Sequence, residues 1–196
     1  MQQQSDIIIV GGGLNGPALA LALAGGGFSV TLIDALPLAD LRGAAFDGRA
    51  YAIALASQRM MTALGLWPAL ADHAQPILDI VASDGRPGEG ASPLFLHFDH
   101  HELEEGPMGY MIEDRILRRA LLQAVADHPG INAINGRQVK AQEVAETGVT
   151  VTLDGGKRLS AGLLVGCDGR NSGTAKRAGI SRVGHDYMQT ALVAAI

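Results

Sequence analysis

Four consecutive β-branched residues, Ile7 to Val10, follow Asp6 near the start of the chain. An apolar run without polar alternation is covered on both faces, so Asp6 to Val10 is predicted as a short buried strand. Gly11 to Gly16 ends it. Pro17 to Ala24 is predicted helical, because Ala and Leu are strong helix formers and proline is tolerated in a first turn. Gly25 to Gly27 close that helix, and Phe28 to Asp34 is a second apolar strand. Strand, glycine turn, helix and strand together make a βαβ unit.

Farther along, Leu55 to Leu66 and Asp114 to Asp127 are predicted helices, the second with Ile116, Leu117, Ala120, Leu121 and Ala124 as its buried stripe. Between them Ile77 to Ser83 and Leu94 to Phe98 read as strands flanking a Gly/Pro-rich loop, Asp84 to Pro93, as in an inserted hairpin. Val139 to Glu143, Val149 to Leu153 and Leu159 to Val165 are three more strands, separated by turn signals at Thr147-Gly148 and Asp154-Gly155-Gly156. Thr190 to Ile196 is an apolar stretch predicted as a strand with an open edge, which invites self-association. The expected fold is α/β, a Rossmann-like domain with a parallel sheet, interrupted by strands of a second, substrate-covering β-sheet. Residues 1–72 and 102–182 are assigned to the first domain, and 73–101 and 183–196 to part of the second.

Composition narrows the function. The 26 glycines among 196 residues are about twice ordinary usage, and many end apolar runs where a tight turn or a close ligand needs them. A net charge of -5 provides no basic stripe for a phosphate backbone, so nucleic acid is not an expected partner. One cysteine, Cys167, excludes an internal disulfide framework and suits a reducing cytoplasm. Met1 to Asp6 has no cationic start and glycines break the longest apolar stretches, so neither a signal peptide nor a membrane span is expected. Peripheral contact with a membrane surface, such as the inner membrane, is left open.

Gly11-Gly12-Gly13-Leu14-Asn15-Gly16 fits the dinucleotide pattern G-x-G-x-x-G, between a predicted strand and a predicted helix. Gly11 permits the tight turn, Gly13 lets the backbone approach a pyrophosphate, and Gly16 lets helix and strand pack. A side chain at Gly11 or Gly13 is expected to fill the pyrophosphate's space. The helix N-terminus offers free N–H groups and a positive dipole end. Asp34, twenty-three residues after Gly11, stands where an acid binds ribose hydroxyls. A plain glycine-rich turn is the alternative, weakened by the surrounding strand, helix and acid. A second cluster, Leu163 to Ser172, ends a late strand with Asp168-Gly169, which serves either as a cofactor contact or as a β-turn.

These motifs, with Val30 to Asp34, Asp47-Gly48-Arg49, Gly109 to Arg115, Cys167 to Ser172 and Asp186 to Val193, resemble the ubiquinone-biosynthesis hydroxylases. That family is similar to the single-component flavoprotein aromatic hydroxylases related to p-hydroxybenzoate hydroxylase. The resemblance implies one FAD, reduced by NAD(P)H without a separate nicotinamide domain. It also implies O2 reacting to a flavin hydroperoxide that hydroxylates an electron-rich, polyprenylated phenol. By position it assigns Gly11, Gly13 and Gly16 to the pyrophosphate loop and Asp34 to the adenosine ribose. Arg49 and Arg115 become flavin-side contacts, and Asp168 with Gly169 the Asp-Gly motif. No nucleophile is named.

The chain departs from that family in carrying Asp34 where Glu is usual and Asp114 where Asn or Gln is usual, which leaves the role of Asp114 open. The family's second flavin segment, a Gly-Asp or Gly-Asn motif with Ala-Ala-His, is expected beyond residue 196. His97, His100 and His101, with Asp99 and Glu102, lack a recognised ligand spacing and read as a solvated turn, so no metal is expected. Cys167 reads as a small packing residue. A flavin-dependent reductase or halogenase, or a non-catalytic nucleotide-binding fragment, shares the same glycine fingerprint.

Overall fold

A computed structural model describes residues 3–43, 45, 48–86, 88 and 90–190. The βαβ unit comprises β1 (Gln3–Val10), α1 (Asn15–Gly25) and β2 (Val30–Asp34), followed by the short helix α2 (Leu38–Leu41). Next come β3 (Ala50–Ala54), α3 (Leu55–Ala63), β4 (Gln75–Ile77), β5 (Asp79–Arg86), β6 (Gly90–Asp99) and β7 (Gly109–Glu113). The remainder is α4 (Asp114–Asp127), β8 (Ile131–Asn135), β9 (Val139–Ala145), β10 (Gly148–Leu153), β11 (Arg158–Gly166) and α5 (Gly173–Arg177). Of the strand predicted over 190–196, only Thr190 falls among the described residues, and it is not in a strand. Asp47 also lies outside them.

The main sheet has the order β8, β2, β1, β11, β10, β9. Its first four strands are parallel, β1 pairing with both β2 and β11, and β2 with β8. The expectation of a parallel sheet is corrected at the far edge, where β10 runs antiparallel to β11 and to β9. Turns as short as Glu146-Thr147 and Asp154 to Lys157 join neighbours only in antiparallel fashion, since a parallel return needs a crossover of a dozen or more residues.

Strand alternation explains why β1 is apolar throughout. Ile7 and Ile9 join Val30, Leu32, Leu21, Leu117 and Leu121 in a core shared with α1 and α4. Ile8, Val10 and Ile33 point the other way, into a second core with Val139, Val149, Val151 and Leu159. Each fully buried side chain of this size stabilises the fold by about 1.5–3 kcal/mol. Helix α4 has the predicted bounds, but its stripe is rotated. Leu117, Leu121, Leu122 and Val125 are buried, while Ile116, Ala120 and Ala124 pack at the margin.

A smaller antiparallel sheet, β3, β7, β4, sits beside this core. Trp67 packs edge-on against Tyr110 of β7, with ring centroids 4.8 Å apart. The predicted hairpin is β5 paired antiparallel with β6, its strands longer than expected and bulged between Ser83 and Gly85. It forms a separate two-stranded sheet whose Val81, Leu94, Leu96 and Phe98 are exposed.

Candidate cofactor site

At the C-terminal end of β1 the glycines divide the work. Gly11 has φ +116, in the left-handed region, and a Cβ there would lie 2.2 Å from the Cys167 carbonyl oxygen. A Cβ on Gly16 would lie 1.8 Å from the Gly11 carbonyl oxygen. Both glycines therefore let three backbone segments pack together, which corrects the expectation that a side chain at Gly11 would point at a ligand. Gly13 differs, because a Cβ there meets nothing within 4 Å and faces open space. No side chain caps the first turn of α1 and it holds no acid, so its N–H groups remain for a ligand.

Asp34 ends β2 and holds this loop from the other side. Its carboxylate accepts hydrogen bonds from Gly12 N–H and, at 2.7 Å, from Leu36 N–H. Its carbonyl oxygen accepts from Arg137 N–H at 3.0 Å. Asp168 is equally committed: Oδ2 accepts from Thr174 N–H at 2.9 Å and from Thr174 Oγ1 at 3.0 Å, and Oδ1 accepts from Ser172 Oγ. Burial pushes the Asp168 carboxyl up, but the bonds from Ser172 and Thr174 outweigh it and hold the group below the usual carboxylate range. Ser172 caps α5 through Ala175 N–H. Gly169 turns the chain with φ +78. Burial, then the neighbouring Asp168 charge, raise the Cys167 thiol, which packs against the first core.

Gly11, Gly13, Asp34, Asp168 and Gly169 line one cleft of about 500 Å³. Gly16 stands behind it, packed on Gly11. Arg49 and Arg115 line an adjoining hollow of about 260 Å³, joined to the cleft through Leu36, Leu41 and Arg118. Asp114 lies in that hollow, only 3% exposed. Arg118 grips it with both ends, Nη2 at 2.8 Å and Nε at 3.1 Å, and Arg49 Nη2 lies 3.3 Å away. The acid whose role the sequence left open is thus a buried anchor for two guanidiniums. Arg118 and Arg137, both cleft-lining, were missed by sequence reasoning. Arg118 was legible as an i,i+4 partner of Asp114, whereas Arg137 follows an unpredicted strand.

Asp99, His100 and His101 place ligand atoms within 4.8 Å of one another on a turn, away from the cleft. Asp99 Oδ1 accepts from His101 N–H at 2.9 Å and lies 2.7 Å from the His101 ring, contacts that close the turn. His97 instead meets Asp79 at 2.7 Å across the hairpin.

The shape of the cleft fits a dinucleotide: bare backbone at Gly13, an uncapped helix end, and an acid at the second strand's end. Among sequence relatives, a ubiquinone hydroxylase, UbiL, of Rhodospirillum rubrum is 44% identical over 189 residues, 96% of this chain and 43% of that protein. The ubiquinone hydroxylase UbiM of Neisseria meningitidis is 34% identical over 98% of this chain and 42% of its own length. The chain therefore spans less than half the length of these relatives. Among solved structures, p-nitrophenol 4-monooxygenase PnpA from Pseudomonas putida superposes with a TM-score of 0.75 at 18% identity, covering 91% of this chain and 44% of that one. Residues 4–196 match the family model described as FAD binding domain, and with a match of that extent the chain belongs to this FAD-binding family.

Proposed function

We propose that the chain is the FAD-holding part of a monooxygenase that uses NAD(P)H and O2 to hydroxylate a polyprenylated phenol in ubiquinone biosynthesis. The observation that carries this reading is the 44% identity to a ubiquinone hydroxylase across 96% of the chain. When bound, FAD supplies the oxygen chemistry, and the chain's own residues bind and orient it. In this reading Gly13 and the first turn of α1 hold the pyrophosphate, and Asp34 the adenosine ribose. Arg49, Arg115, Asp168 and Gly169 line the path toward the flavin.

Self-association and peripheral membrane contact belong to the same proposal, supported by the exposed apolar side chains of β5 and β6. Light scattering over a range of concentrations tests the first, and flotation with anionic vesicles the second. Among the described residues no helix is long and apolar enough to cross a membrane.

The central test supplies the FAD-reconstituted enzyme that contains this chain, rather than the chain alone, with NADH or NADPH, a polyprenylated phenol and isotopically labelled O2. One labelled oxygen in the phenol is the expected product. Nucleotide oxidation with an unlabelled phenol would instead identify a reductase, and absence of any bound flavin a non-catalytic fragment.

A further inference from the structure

Beyond the Arg49 hollow lies a third, polar one of about 300 Å³, reached through Gly43 and Arg115. Arg42, His73, Arg115 and Arg119 line it, with Glu113 the only acid among the described residues that do. Local structure explains the convergence. Arg115 and Arg119 are four residues apart on α4 and so share one face, opposite the buried Leu117 and Leu121. Arg42 follows the last turn of α2, and His73 ends a short 3-10 turn. Glu113 is engaged with Arg115, the pair at 2.5 Å. Arg42 and Arg119 have no acid partner among the described residues.

In a chain of net charge -5, unpaired guanidiniums gathered around one hollow are a local inversion of the overall field. Planar forks of N–H donors match the paired oxygens of carboxylate and phosphate groups, and several cations around one hollow favour the more highly charged phosphate. We propose that this hollow binds a phosphate-bearing anion distinct from the flavin. Its place, one hollow removed from the glycine cleft, would let the ligand lie alongside the cofactor. The recognition chemistry is shared by the diphosphate of a nicotinamide nucleotide, a phospholipid headgroup and free phosphate. Only the first of these sources rests on the hydroxylase reading.

The experiment is a calorimetric titration with inorganic pyrophosphate of the FAD-saturated parent protein, the FAD-saturated Arg42→Gln/Arg119→Gln variant and the Gly13→Val variant, so that the glycine loop is filled or blocked in each. Arg42 and Arg119 are exposed and unpaired, so the double variant should melt with the parent. Its pyrophosphate affinity should fall at least about tenfold, the scale of losing charged hydrogen bonds. The Gly13→Val variant should retain the affinity, because Gly13 belongs to the other cleft. Unchanged affinity in the double variant overturns the proposal, as does loss in Gly13→Val alone, which would assign the anion to the glycine loop. Loss of FAD binding in Gly13→Val concerns the flavin reading only. Displacement of pyrophosphate by NADH assigns the site to a nicotinamide nucleotide, displacement by phosphatidylglycerol vesicles to a headgroup, and displacement by neither to free phosphate.

Discussion

Gly11 and Gly13, two residues apart in one loop, should respond to substitution in opposite ways. At Gly13 an added side chain enters open space, and the residue is not held in the left-handed region. Gly13→Val should therefore change stability by no more than about 0.5 kcal/mol, or roughly 1–2 °C in melting temperature for a chain of this size. Its effect falls on the ligand. If the branched side chain keeps two N–H groups from phosphate oxygens, at about 1.5 kcal/mol each, FAD affinity drops by at least about a hundredfold. At Gly11 the left-handed backbone costs an alanine about 1–2 kcal/mol. The 2.2 Å approach to the Cys167 carbonyl must also be relieved by moving backbone, at about 1–3 kcal/mol. Gly11→Ala should thus lose about 2–5 kcal/mol, a fall of roughly 4–20 °C. Thermal melts of both variants, followed by fluorescence titration with FAD, separate the two effects. A Gly13→Val protein that melts far below the parent, or binds FAD as tightly, would refute this division of labour.

Asp34→Ala removes the acceptor for Gly12 and Leu36 N–H, so it should cost about 1–3 kcal/mol of stability in a denaturant titration as well as weakening FAD. Arg118→Ala leaves the buried Asp114 with Arg49 as its one ion-pair partner among the described residues. The expected loss is about 3 kcal/mol, at the lower end for a broken buried pair because one partner remains, and chemical denaturation measures it. Asp168 has a folded-state pKa below its unfolded value, so its contribution is present above the ordinary value of 3.8 and is lost as pH falls toward the depressed one. Melts from about pH 6 down to about pH 3 should show a steeper loss in the parent than in Asp168→Asn.

The parts of the fold legible in the sequence are those where one residue property decides local structure. Consecutive β-branched residues marked β1, the Asp-Gly-Gly turn separated β10 from β11, and α4 kept its predicted bounds from Asp114 to Asp127. The strands β3, β7 and β8 were not legible. Ile131–Asn135 carries Asn132 and Asn135, poor strand formers, and is held as a strand by pairing in parallel with β2, a partner about a hundred residues earlier in the chain. β3 and β7 likewise depend on a distant partner, pairing with each other antiparallel from Ala50 opposite Glu113 to Ala54 opposite Gly109. The glycine loop and its terminal acid could be located from spacing alone. That Asp34 also reaches back twenty-two residues to accept from Gly12 N–H, and that Asp168 accepts from Ser172 and Thr174, could not, since spacing does not say which donors a turn brings round to a carboxylate.

Asp114 shows how a departure from a family pattern is absorbed. A carboxylate beside a diphosphate would repel it, and burial makes any uncompensated charge costly. Here the acid is the first residue of α4, where the helix dipole favours a negative group, and Arg118 one turn later closes a two-pronged pair with it. Arg49 approaches from the loop before β3, and its carbonyl oxygen accepts Asp114 N–H at 3.0 Å. Arg49, Arg115 and Arg118 against Asp40 and Asp114 leave one net positive charge among the described residues lining the hollow, so an anion there meets attraction. The carboxylate fixes the direction of both cations, which a neutral amide would do with weaker bonds. Asp114 therefore acts on a ligand through Arg49 and Arg118, and its substitution should disturb the arginines before it disturbs anything they hold.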